Sequence, residues 1–170
     1  MWKFVKYVLW LQIFKKYNSL KNWNVSKVKD FSFMFIWCRL LSDIKSLKNW
    51  NTKNGKKFHG MFCDCDSLSD ITPLENWNIT NGKDLSFMFF RCKLLSNLNP
   101  LKNWDVSNCE NFSKMFYGCD SLSNIEPLKY WNVSNCKNFS KMFSNCPFLT
   151  NLNEIKNWKL SEKDFSKMLK

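Results

Sequence analysis

Six tryptophans, Trp23, Trp50, Trp77, Trp104, Trp131 and Trp158, stand 27 residues apart without drift. A strict period of this order is the signature of a stacked array, in which no unit buries a core alone and each completes its interior with its neighbours. Other columns keep the same register. Eight residues after each Trp come Phe31, Phe58, Leu85, Phe112 and Phe139. Met-Phe pairs follow, from Met34-Phe35 to Met142-Phe143, and then Cys38, Cys65, Cys92, Cys119 and Cys146. Three further apolar columns, headed by Leu41, Ile44 and Leu47, close each unit.

The register divides the chain into a degenerate N-terminal capping repeat over 1–19, five full repeats over 20–157 and a partial C-terminal capping repeat over 158–170. Phe4, Tyr7, Val8, Leu11, Phe14, Tyr17 and Leu20 fill the apolar columns of the first segment. That fit explains "MWKFVKYVLWLQIF" better than a signal peptide does, because Lys6 interrupts the apolar stretch and no small-residue cleavage site follows. The stretch is also too short to span a bilayer. Terminal repeats are expected to be atypical, since one face lacks a neighbour.

Within a unit, Phe112, Met115, Phe116 and Cys119 have the spacing of one helical stripe. The expectation is a short helix capped by Asn111 or Asn108. Beyond it the apolar residues come every third position, with Pro73, Pro100 and Pro127 nearby. That pattern predicts a short strand over 123–126 and its equivalents, with Ile125 inward, then a turn. A weaker extended piece is expected over 131–133. The predicted fold is an α/β repeat, a leucine-rich-repeat-like solenoid whose 27-residue units each hold a short strand and a short helix.

The unit "WNVSNCKNFSKMFSNCPFL" and its copies resemble the BspA-like leucine-rich repeat of bacterial surface proteins and lipoproteins and of protist surface proteins. The Met-Phe-x-x-Cys-x-x-Leu core that carries the resemblance recurs at 34–41, 61–68, 88–95, 115–122 and 142–149. The resemblance covers roughly 20–170. It implies a leucine-rich-repeat solenoid, a role in adhesion or protein binding and a surface or secreted location, though no clear signal peptide is present. It implies no catalytic residue.

The remaining residue types are weighed against that background. A net charge of +12 gives a general attraction to anionic partners. Eight cysteines without a CxxC pair, beside a single histidine, offer almost no raw material for a zinc site. The Cys column is read as buried thiols acting as small apolar residues, and the Trp column as core. The in-register Asn residues that precede Trp23, Trp50, Trp77, Trp104 and Trp158 and follow Trp23, Trp50, Trp77 and Trp131 are read as structural, satisfying turn backbone groups. The sequons at Asn24, Asn78, Asn111, Asn132 and Asn138 are by-products of the repeat. His59 has no second His, and no Ser/His/Asp arrangement can be drawn around it from sequence. No cofactor, metal or enzyme activity is expected.

Two surfaces are candidates for recognition. The residues flanking the inward strand position form one: Asp43 and Lys45, Asp70 and Thr72, Asn97 and Asn99, Asn124 and Glu126, Asn151 and Asn153. Two lysine ladders form the other: Lys29, Lys56, Lys83 and Lys137, and Lys21, Lys48, Lys102, Lys129 and Lys156. The expected function is a non-catalytic protein-binding or adhesion module. The alternatives are an anionic-polymer binder, glycan or nucleic acid, using the lysines, and a purely structural repeat. Another protein is the expected partner, without a membrane span and with the oligomeric state open.

Overall fold

The structure is a computed structural model that describes residues 17–170. The expected N-terminal capping repeat, apart from its last three residues, lies outside the described residues. The described chain winds into five 27-residue coils, 23–49, 50–76, 77–103, 104–130 and 131–157, stacked in register. Parallel bridges link Asp30 to Lys57, Lys57 to Asp84, Asp84 to Asn111 and Asn111 to Asn138.

Among the described residues the expected strand and helix of each unit are both absent, so the predicted α/β leucine-rich-repeat-like solenoid is corrected to a coil stack of turns and 3-10 helices. Among the described residues the parallel pairing consists of isolated bridges, not strands. Where the strand was expected, Ile125 (φ −115°, ψ 9°) leads into a 3-10 helix, Glu126–Tyr130. Its counterparts are Lys45–Leu47, Thr72–Leu74, Asn99–Leu101 and Asn153–Trp158. An apolar residue at every third position matches the three residues per turn of a 3-10 helix. Pro73, Pro100 and Pro127 occupy first-turn positions, where a missing N–H costs nothing. Trp131 is extended at the end of its 3-10 helix (φ −67°, ψ 131°), but the piece over 131–133 forms no strand.

The expected helix is instead a ladder of turns that divides its hydrogen bonds between two coils. Met115, Tyr117 and Cys119 donate their N–H groups three residues back within the coil. Phe112, Lys114, Phe116 and Gly118 donate theirs to Asn138, Ser140, Met142 and Ser144 of the next coil. Alternate N–H groups can point along the stack only if the backbone reverses hand twice per coil. The left-handed positions are Phe33, Gly60, Phe87, Lys114 and Lys141, then Trp37, Asp64, Arg91, Gly118 and Asn145, with φ between 55° and 67°. A side chain in that region costs about 1–2 kcal/mol, so the ladder stores strain that the coil-to-coil bonds offset.

Two side-chain columns reinforce the stack. The indole N–H groups of Trp50, Trp77, Trp104, Trp131 and Trp158 donate to the carbonyls of Leu20, Leu47, Leu74, Leu101 and Leu128, at 2.9–3.1 Å. The thiols of Cys65, Cys92, Cys119 and Cys146 donate to the carbonyls of Phe35, Phe62, Phe89 and Phe116, at 3.1–3.3 Å. Both columns reach 30 residues back, one 27-residue turn and three residues more, and so tie successive layers together. Between them the phenylalanines stack face on: Phe35–Phe62, Phe62–Phe89, Phe89–Phe116 and Phe116–Phe143 have centroids 5.3–5.7 Å apart and planes within 8°. Such pairs contribute about 0.5–1.5 kcal/mol beyond the area they bury.

At the C-terminal end one α-helix, α1 (Glu162–Leu169), replaces the next ladder. Ser161 caps its N-terminus by accepting from the Asp164 N–H. The last carbonyls of a helix have no partner inside it, and here they take bonds from the fifth coil. Lys141 donates to Lys167, Phe143 to Met168, and the Ser144 hydroxyl to Lys170. Met168 is buried beneath the helix.

The strain can be tested where a left-handed side chain is exposed and makes no side-chain bond. Lys141→Gly should raise the stability measured by urea unfolding by about 0.5–1 kcal/mol, since relieved strain exceeds the added chain entropy. The same change at Lys57, outside the left-handed columns, should lower it. Trp104→Phe, which keeps one aromatic ring but removes the pyrrole ring together with its bond to Leu74, should cost about 1–3 kcal/mol for the lost bond and the cavity together.

Candidate binding surface

The first candidate surface is exposed, but its acidic and amide groups are occupied. Asp43, Asp70, Asn97, Asn124 and Asn151 each accept, through Oδ1, the backbone N–H two residues on, at 2.8–3.0 Å. The donors belong to Lys45, Thr72, Asn99, Glu126 and Asn153, the other half of that surface. These are Asx turns that launch the 3-10 helices. Hydrogen bonds from Thr72 hold the Asp70 carboxyl below its ordinary range. The column therefore does structural work, whatever else it touches.

The other amides divide similarly. Asn54, Asn81, Asn108 and Asn135 donate Nδ2 to carbonyls of the preceding coil at 2.7–3.0 Å. Asn111, expected as a helix cap, accepts from Ser113 in another Asx turn.

The lysine ladders are interrupted. Glu110 stands in the slot between Lys83 and Lys137 and pairs with both, at 3.3 and 2.9 Å. Those two lysines pull its carboxyl down, Lys137 the more strongly. In the second ladder Glu75 takes the slot between Lys48 and Lys102. Lys129 pairs with Glu126. Lys102 and Lys129 both lie over the exposed Tyr130 ring, 4.7 and 4.8 Å from its centroid. Lys21 and Lys156 are exposed at the two ends.

A third surface was not anticipated from sequence. The ladder turns its left-handed residues and their neighbours outward, in slots where the repeat imposes no residue type. Phe33, Gly60, Phe87, Lys114 and Lys141 share one slot, and Trp37, Asp64, Arg91, Gly118 and Asn145 another. Across these slots runs an aromatic strip. The Phe33 ring meets His59 edge-on at 4.7 Å. His59 lies 5.3 Å from Phe87, and Phe87 5.4 Å from Phe90. Phe90 stacks on Tyr117 at 4.9 Å, and the Tyr117 hydroxyl accepts from Asn145. Arg91 and Lys114 lie over Phe90 and Phe87. In the first coil Phe33, Trp37 and Leu40 are 40%, 59% and 84% exposed. The signal was present in sequence as the high variability of these slots, but a helical reading did not show that they share a face.

His59, Ser86 and Asp84 do come together, contrary to the sequence expectation. Ser86 Oγ lies 2.6 Å from His59 Nδ1 and donates to Asp84 Oδ1 at 2.5 Å, while His59 and Asp84 are 3.8 Å apart. The serine sits in the middle and is buried, its proton engaged by the aspartate. A nucleophilic triad needs the histidine in the middle, taking the serine proton. Among the described residues no cluster of His, Cys, Asp and Glu could hold a metal. No helix there is long and apolar enough to cross a membrane.

The buried thiols carry a pH dependence. Burial pushes Cys63 and Cys109 up to about 12, from an ordinary value of 9.0. It also raises Cys65, Cys92 and Cys119 well above that ordinary value. The folded chain keeps protons that the unfolded chain releases above about pH 9, so this stabilisation is complete below pH 9 and lost as pH rises towards 12. Urea unfolding from pH 8 to 11 should show stability falling with pH, and Cys119→Ala should flatten that fall. Gly60→Ala tests the aromatic strip. Its Cβ would stand 2.7 Å from the Phe33 ring at φ 57°, so the change should destabilise the chain and displace Phe33 from His59, seen as altered ring-current shifts.

No curated protein and no solved structure matches the chain. One family, described as "Mycoplasma protein of unknown function, DUF285", matches residues 9–124 and again residues 72–170. Together the two matches take in every coil, and the chain belongs to that family.

Proposed function

We propose that the chain is a non-catalytic recognition module that binds another protein through the outward face of its turn ladder. The observation that carries this reading is the strip from the exposed Phe33 through the half-buried His59, Phe87, Phe90 and Tyr117, set in slots free to vary over a fixed core. Aromatic rings with arginine beside them are the residue types enriched at protein interfaces. Trp37 and Leu40 extend the apolar surface at the first coil. The resemblance to BspA-like repeats of surface proteins supports the same reading, as adhesion to a protein outside the cell.

The test replaces Phe33, Trp37 and Leu40 together by serine and compares photo-crosslinked protein partners with those of the unaltered chain. Capture should fall at least tenfold, as expected for loss of a central apolar anchor. Asp70→Asn, on the Asx column, should leave capture unchanged. Undiminished capture by the triple variant, with an unchanged melting profile, overturns the proposal.

A further inference from the structure

The lysine ladder differs between its two halves. In the third to fifth coils it is neutralised, because Glu110 ties Lys83 and Lys137 together. In the first two coils the ladder lysines Lys29 and Lys56, together with Lys27 and Lys53, which stand off the ladder, are all exposed and make no ion pair among the described residues. Their backbones are joined across the coil boundary: Lys56 donates its N–H to the Lys29 carbonyl, and Asn54, beside Lys53, donates its side-chain amide to the Ser26 carbonyl. Four ammonium groups are thus carried on two adjacent layers about 4.8 Å apart. Lys57 is excluded, since it stands in the bridge column between Asp30 and Asp84.

We propose that these four lysines form an anion-binding site for a sulfated linear polysaccharide, separate from the aromatic strip. A cluster of like charges on neighbouring layers, with Lys29 and Lys56 in register, suits a polymer carrying repeated anionic groups, whose bound counterions are released on contact. The surroundings select among polyanions. Single-stranded nucleic acid is held by rings on which bases stack, and none of the large exposed apolar side chains lies within 24–30 or 51–57. Instead the spare hydrogen-bonding capacity there is polar: the Ser26 hydroxyl, which donates to Asn24, keeps its lone pairs, and Asn51, whose Oδ1 accepts the Lys53 N–H, keeps its amide donors, both suited to sugar hydroxyls. A bilayer surface would be favoured by apolar side chains among the lysines, which this segment also lacks.

The experiment measures binding of the full chain to a heparin octasaccharide and to an oligo(dT) strand of matched charge, across a salt series. Heparin should bind more tightly than oligo(dT). The double variant K29Q/K56Q should weaken heparin binding about tenfold and lower the slope of log affinity against log salt by about two. E110Q should strengthen binding by releasing Lys83 and Lys137, and K57Q should have the smaller effect of a locally compensated charge. All three substituted lysines are exposed, so melting profiles should match that of the unaltered chain. Unchanged heparin affinity in K29Q/K56Q overturns the proposal, as does oligo(dT) binding equal to or tighter than heparin binding. Because the aromatic strip is untouched, protein capture should persist in K29Q/K56Q, which separates failure of this site from failure of the protein-binding reading.

Discussion

The stack depends on alternate backbone N–H groups of the turn ladder pointing to the next coil while those between them close turns within their own. An α-helix satisfies its interior within itself, and a strand gives all its bonds to neighbours on either side. This ladder does half of each. Every coil is therefore incomplete alone, and a left-handed residue is needed wherever the backbone changes from one task to the other. The cost of those residues is met by burial and bonding across the interface. The indole and thiol columns work on the same principle. Each donates to a carbonyl that already accepts the N–H three residues on, so the second lone pair of the Leu and Phe carbonyls ties the layers together.

That arrangement explains which parts of the molecule could be read from sequence. The stack and its core were legible because in-register columns report directly on which side chains share an interior. Trp50, Phe62, Cys92 and Leu101 are all buried where the period places them. The local backbone was not legible. The spacing of Phe112, Met115, Phe116 and Cys119 is that of a helix, yet it also arises when the chain alternates hand and keeps those four side chains inward. Periodicity records the direction of side chains and not the path by which the backbone presents them. A cue did exist at Gly60, Gly118 and Asn145, types that tolerate the left-handed region. It was masked by Phe, Trp, Arg and Lys in the same slots of other coils. The three-residue spacing after each cysteine had two readings, and the 3-10 helix is the one adopted, even at Lys45–Leu47 and Asn153–Trp158, which lack proline.

The candidate surfaces follow the same division. The Asx column recurs in every coil because its oxygen launches a 3-10 helix, so its regularity reflects backbone need. The ladder face varies because its outward slots answer to no internal requirement once the left-handed backbone has been accepted. Within one chain, then, repetition marks what the fold needs and variation marks what it leaves open. Sequence reasoning chose the more regular face, since an expected strand gave its flanking residues an outward direction. Without the strand that reason is gone, although the residues remain exposed.

The same logic bears on charge. A lysine ladder looks uniform when read as a column, but its electrostatic character depends on single substitutions within it. Glu110 is one residue in 27, yet it faces lysines in the layers on both sides and converts the middle of the column into a closed ion-pair network. Exposed pairs of this kind contribute little to stability, so their consequence is chiefly to localise the remaining positive charge. In a stack with a step near 4.8 Å, well inside the screening length of physiological salt, every charge acts on the layers above and below it. A period that makes the core simple to build also makes the surface sensitive to each departure from the repeat, and specificity can arise in such a molecule without any change in fold.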